Sequence, residues 1–285
     1  MLFRSIDPIG TFLLKGKIPK DAISKLKPVI EKTKVLPQFR IVGVHGKIFA
    51  NSGSSIVQEL AFSLAQGAEY LTQLTELGMS ADDVAKTIKL NFGIGNNYFM
   101  EIAKLRAARL LWAQIVKAYN PASDCAAKLI AHCETSRYNK TIYDPHVNLL
   151  RTQTEAMSAA LGGAHSITVL PFNAIYEEPS NLSERVARNQ QILLKEESYL
   201  DKVTDPAAGS YYIENLTASI VEQAWKLFLT IQEKGGFIAA FREGFIQKEI
   251  KDMAAKRDLN IALRRENLLG TNQFPNFNEK ITAEF

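Results

Sequence analysis

The 285-residue sequence predicts an α/β fold of parallel βα units. Short apolar runs bounded by Gly, Pro or polar residues alternate with helical patterns of roughly ten residues or more. The helical stretches carry their own start or stop signals. Such units, joined by right-handed crossovers, build either a barrel or an open doubly wound sheet. Four clear strands, or five if Arg4 to Pro8 is one, are too few for a closed eight-stranded barrel, so the chain reads as part of something larger. Its abrupt opening almost on the Asp7-Pro8 loop fits a truncated coding sequence.

The first strand is Phe39 to Gly46, alternating with period two and closed by a glycine. Ser55-Ile56-Val57-Gln58 then predicts a capped helix with Val57, Leu60, Leu64, Leu71 and Leu74 on its buried face. Ser80 opens a second helix. A third runs from Tyr98 to Tyr119 with Leu105, Ala108, Trp112 and Ile115 on one stripe, and Pro121 forbids its continuation. Lys128 to His132 is a short buried strand. The next helix carries Val147, Leu150, Met157 and Leu161 and stops at Gly162-Gly163. His165 to Phe172 is another strand, Ser183 to Ser198 a helix, and Tyr199 to Val203 a last strand before the Asp205-Pro206 turn. From Leu216 the pattern is helical only, with Gly235-Gly236 as a stop, which places a boundary near 215.

Composition narrows the partners. The chain is 46% hydrophobic and 22% charged, and 34 Lys plus Arg stand against 30 Asp plus Glu, interspersed along helices. A chain of this size can bury roughly three quarters of its unfolded surface. Without a basic block or stripe, nucleic acid is not an expected partner. No window approaches the roughly twenty apolar residues of a membrane span, and Met1 to Asp7 holds no secretory apolar run. Cys125 and Cys133 lack CxxC or Cys/His spacing, which argues for reduced thiols in a cytoplasmic or organelle-matrix compartment, with cytoplasmic the expected location, and for no structural zinc.

The run from Ala131 to Pro145 joins the polar end of a strand to a loop and a helix, the junction where barrels hold ligands. Together with Gln58 to Phe62, Phe99 to Trp112, Asn148 to Thr152, Ser166 to Val169, Arg185 to Gln191 and Asp205 to Glu214, it resembles the adenosylcobalamin-dependent methylmalonyl-CoA mutase family, and within it the small, β-type subunit of heterodimeric members. The resemblance covers nearly the whole chain. It implies the second half of a (β/α)8 barrel over residues 1–215 and a helical extension leading into a linker over 216–285, without a cobalamin-binding domain. Arg264 to Asn276 is similar to the small subunit's exit from its barrel.

The departures from the family pattern are informative. A tyrosine and a histidine that contact substrate in catalytic subunits align with Lys47 and Ile48. An arginine and a serine align with Thr87 and Lys89, and threonine cannot make the arginine's bidentate grip. A glutamine becomes Glu134, a glycine near the corrin becomes Arg137, and a glutamate and an alanine near the cofactor become Ala174 and Glu177. His132 is retained and is the candidate for substrate contact that the resemblance implies. The cobalamin signature Asp-x-His-x-x-Gly is missing, since Asp144-Pro145-His146 has Leu149 at the glycine position. The resemblance thus implies a non-catalytic subunit supporting a large catalytic subunit that binds adenosylcobalamin, with no cofactor on this chain. The alternatives are an active acyl-CoA mutase fragment with a rebuilt site, and a gene fragment that does not fold alone.

Other residues have plainer readings. His132 and Cys133 are adjacent in a strand and point to opposite faces, which disfavours a nucleophile pair. His45 reads as a loop histidine, and Gly93-Ile94-Gly95 as a helix-to-helix turn, not a phosphate loop, because the third glycine position is Tyr98. Glu134, Glu177 and Glu178 read as solvated carboxylates, Tyr211-Tyr212 as packing, and Arg185 and Arg188 as ion-paired on the exterior.

Overall fold

A computed structural model describes residues 5–279 apart from 18, 20 and 37. In chain order the elements are α1 (Pro8–Lys15), α2 (Leu26–Thr33), β1 (Val42–Val44), α3 (Lys47–Asn51), α4 (Ile56–Glu76), α5 (Ala81–Thr87), β2 (Ile88–Ile94), α6 (Tyr98–Lys117), β3 (Ala131–Thr135), α7 (Val147–Leu161), β4 (Ser166–Thr168), α8 (Asn181–Glu196), α9 (Tyr211–Glu233), α10 (Phe237–Arg242) and α11 (Phe245–Ala262). The four strands are parallel and lie in the order β1-β2-β3-β4. A doubly wound sheet reverses its strand order at a switch point, whereas this one does not. The sheet is singly wound, as in part of a barrel, the one of the two alternatives left open by the strand–helix alternation that the family resemblance implies.

Local chemistry sets the helix starts. Ser55 and Gln58 form the predicted capping box of α4, Ser80 caps α5, and Ser180 caps α8 with Ser183 closing a box. α4 is buried nearly all round, with Leu60, Phe62, Leu64, Tyr70, Leu71 and Leu74 shielded from solvent. It lies against α6, and Gly67 makes the approach possible because a Cβ there would sit 2.6 Å from Trp112. α9 packs on α4 and α6, and its Ile220, Ala224, Phe228 and Ile231 join the main core. The rhythm change near 215 therefore falls inside a helix that begins at Tyr211.

Several predicted strands are shorter or displaced. The Phe39–Gly46 run contributes only Val42–Val44, and the His165–Phe172 run only Ser166–Thr168. Lys128–His132 slides to Ala131–Thr135. Tyr199–Val203 is no strand: Tyr199 has φ 54°, Lys202 N–H donates to its carbonyl, and Leu200 packs on the satellite core of Ala187 and Leu194. Gly93-Ile94-Gly95 ends a strand, β2, which starts one residue after α5 closes. Of the Arg4–Pro8 run, Arg4 lies outside the described residues, Ile6 bridges Val42 in parallel, and Pro8 already opens α1.

Candidate functional site

Alternation along β3 separates two chemistries. Ala131, Cys133 and Thr135 are buried, with Ala131 and Cys133 in the main core, while His132 and Glu134 occupy the opposite, concave face. Register places Asn91 and Gly93 beside them on β2, Lys89 earlier on that strand opposite Gly43 of β1, and Ser166 and Thr168 on β4. Lys47, at the start of α3, reaches over the strand ends to Glu134 at 2.5 Å. The His132 ring is held between Ser166 Oγ at 2.8 Å and Thr168 Oγ1 at 3.3 Å.

Electrostatics bind these groups together. Burial pulls His132 down to about 4, and the nearby Lys89 and Lys47 reinforce the shift while Glu134 opposes it. Burial lowers His45 likewise, against the Asp7 carboxylate and with the help of Lys47 and Lys89. Lys89 is itself lowered, by burial first and by Lys47 second. Both histidines are neutral at pH 7, so the concave face is held by two lysines and one glutamate. The His132 ring proton should titrate near 4 in an NMR pH series; a midpoint at the ordinary 6.5 would mean that the ring is solvated and the cluster open.

The predicted site residues divide in two. Lys47, Lys89, His132 and Glu134 come together, with Ile48 half-buried next to Lys47. Thr87 does not join them: it is the last residue of α5, at the opposite end of β2, and donates to Val84 O. Arg137 is exposed, with its N–H given to Asn51 Oδ1 at 2.9 Å. Ala174 and the exposed Glu177 lie in the turn after β4, where Glu177 accepts from Asn173 Nδ2 at 2.7 Å. Glu134 is ion-paired and mostly buried, a correction to its reading as a solvated loop carboxylate. Tyr211 and Tyr212 are exposed, although the Tyr212 ring meets Phe99 edge-on at 5.7 Å. Arg185 and Arg188 are exposed and make no ion pair among the described residues. Among those residues no His/Cys/Asp/Glu group could hold a metal ion, and no helix is long and apolar enough to cross a membrane.

Three buried polar constellations escape the sequence pattern. Lys104 Nζ donates to Glu59 Oε2 and Gly93 O, both at 2.6 Å, and lies 2.6 Å from Glu101 Oε2. Glu59 and Glu101 in turn accept the N–H groups of Gly93 and Gly95, which excludes a phosphate from that turn. Burial drives Glu59 up to about 7. Asp7 accepts from Gly10 N, Gln66 Nε2 and Tyr70 Oη through Oδ1, and from His45 N through Oδ2. Lys140 binds both oxygens of the fully buried Glu155. A glutamate and a lysine three apart on the apolar stripe of α6 were the visible signal for the first; nothing local marked their partner on α4.

A singly wound sheet with polar side chains on its concave face and over the carboxyl ends of its strands is part of a barrel of the ligand-holding (β/α)8 class. The methylmalonyl-CoA mutase family model matches residues 7–284. The chain belongs to that family. It is 52% identical over 276 residues, 96% of this chain and 45% of the relative, to the methylmalonyl-CoA mutase small subunit of Porphyromonas gingivalis. It is 39% identical to the methylmalonyl-CoA mutase of Cereibacter sphaeroides over 90% of this chain and 36% of that one, and 37% identical to the human mitochondrial methylmalonyl-CoA mutase over 90% and 34%. The chain therefore spans a third to a little under half of the length of these relatives.

Proposed function

We propose that this chain is the small, non-catalytic subunit of an adenosylcobalamin-dependent methylmalonyl-CoA mutase, an isomerase of methylmalonyl-CoA and succinyl-CoA, and that it supports a large subunit that binds the cofactor and does the chemistry in the cytoplasm. Residues 1–215 are read as the second half of its barrel and 216–285 as the helical extension. One observation carries the reading: Lys47 and Glu134, which the family resemblance aligns with substrate-contacting positions of catalytic subunits, form an ion pair with each other. A tyrosine and a glutamine there would be free to face a ligand; a lysine satisfied by a glutamate is spent on the protein itself. Ile48, Thr87, Lys89, Arg137, Ala174 and Glu177 complete the set of lost contacts, and the retained His132 is occupied by Ser166 and Thr168.

The residues present do not fit cobalamin. His146 sits at the start of α7 with its ring tilted on Phe172 at 5.4 Å, and the backbone N–H of Asp144 is taken by Glu279, so the Asp144-Pro145-His146 string is a helix entry. Arg137 brings an exposed cation to the position of the corrin-side glycine.

Co-expression with an intact large subunit should recover a one-to-one complex that isomerises methylmalonyl-CoA, while this subunit alone shows no turnover and leaves the spectrum of added adenosylcobalamin unchanged. Turnover by the isolated subunit, or a corrin spectral shift, would establish the rebuilt-site alternative instead.

A further inference from the structure

A second concavity lies outside the Lys47–Glu134 cluster. It has a volume of about 830 Å³ and opens between the start of α4, the loop after β2, and α11. Its floor is acidic: Glu59 and Glu101, 2% and 3% exposed, share the one ammonium of Lys104, which leaves one carboxylate in excess. Its mouth is basic, since Lys256 is exposed and Arg257 half-buried, with Glu266 offsetting one of the two charges. Arg257 is fixed there by donating to Ser54 O at 3.2 Å and by lying 4.1 Å over the Tyr138 ring. Between floor and mouth the walls are apolar, with Ile56, Val57, Met100 and Met253.

An independent observation points to a missing occupant. Ser54 lines the concavity, is 4% exposed, and its buried hydroxyl has no hydrogen-bond partner among the described residues, although its carbonyl is engaged by Arg257. Buried hydroxyls in folded proteins are nearly always satisfied. The geometry points to a binding site for a small aliphatic zwitterion, with an ammonium against Glu59, Glu101 and the Ser54 hydroxyl and an anionic group between Lys256 and Arg257. A simple amine would leave its apolar tail facing the cations of the mouth, and a simple carboxylate seated at the mouth would leave its apolar tail against the charged floor. The site stands apart from the small-subunit reading, because neither Lys47 nor Glu134 lines it.

The probe is 6-aminohexanoate, titrated calorimetrically into the full-length protein with whatever subunits copurify; n-hexylamine and hexanoate are the controls. The zwitterion is expected to bind at least about tenfold more tightly than either control. Ser54→Ala should weaken it by roughly threefold or more. Met253→Trp, which fills the wall from a half-buried position on α11, should abolish binding while leaving the melting temperature near that of the parent. Glu101→Gln should also release the probe, and if that variant fails to fold, the other two carry the test. Equal binding of hexanoate or hexylamine, no heat with the zwitterion, or unchanged affinity in Met253→Trp would overturn the site.

Discussion

Replacing Lys104 by methionine should cost about 3–5 kcal/mol of folding stability, read from urea denaturation, because it leaves two nearly buried carboxylates without the cation that compensates them. The ammonium is fully buried and, among the described residues, is the one cation in contact with Glu59 and Glu101. Burial works to lower Lys104, yet the two glutamates hold it charged and raise it overall. Glu59 is raised from 4.5 to about 7, so its contribution to stability is fully present below 4.5 and is lost as pH rises through 7. Without the lysine its carboxyl climbs further, and the deficit of the variant relative to the parent should shrink when both are compared at pH 6 instead of pH 8. His132, whose depressed value makes it act in the opposite sense as pH falls, is common to both proteins and cancels. Changing Glu59 and Glu101 to leucine together with Lys104→Met should recover much of the loss, as apolar replacements of buried ion triads do. A deficit below about 1 kcal/mol that ignores pH would show the triad to be hydrated.

Asp7→Ala should be the second most damaging change, at roughly 3 kcal/mol. It removes the N-cap of α1 and orphans the Gln66 amide, the Tyr70 hydroxyl and the His45 N–H at once. The aspartate is 8% exposed and ties the first helix to α4 and to the loop after β1. Asp7→Asn keeps one oxygen acceptor and should cost clearly less. Equal losses for the two variants in thermal melts would mean that the charge, not the set of hydrogen bonds, is what the site uses.

The helices were more legible in the sequence than the strands, and the reasons are physical. A helix declares itself over several turns: the Ser55 box, the Ser80 cap and the Gly162 stop are local chemistry, and each lies where the pattern puts it. A buried parallel strand has no alternation to show, so β2 followed α5 unseen and Gly93 passed for part of a turn. Conversely, Tyr199 to Val203 reads as a strand because a short run with apolar residues beside a turn signal looks alike in a strand and in a loop whose Leu200 packs on a helix. The concave cluster was half legible. Lys47, Lys89, His132 and Glu134 were picked out one by one through the family resemblance, but that Lys47 meets Glu134 is a fact of tertiary structure 87 residues apart. The clusters around Lys104 and Asp7 were not foreseen at all, because a charge in an apolar stripe signals an anomaly without naming its partner.

On the proposed reading, the Lys47–Glu134 contact also has an evolutionary consequence. Restoring tyrosine at 47 leaves a largely shielded carboxylate without its cation, and restoring glutamine at 134 leaves a lysine facing Lys89 and two neutral imidazoles. Each single reversal is worse folded than its starting point and still inert, so selection has no first step back toward catalysis. On that reading the pair works as a ratchet that holds such a subunit to its supporting role.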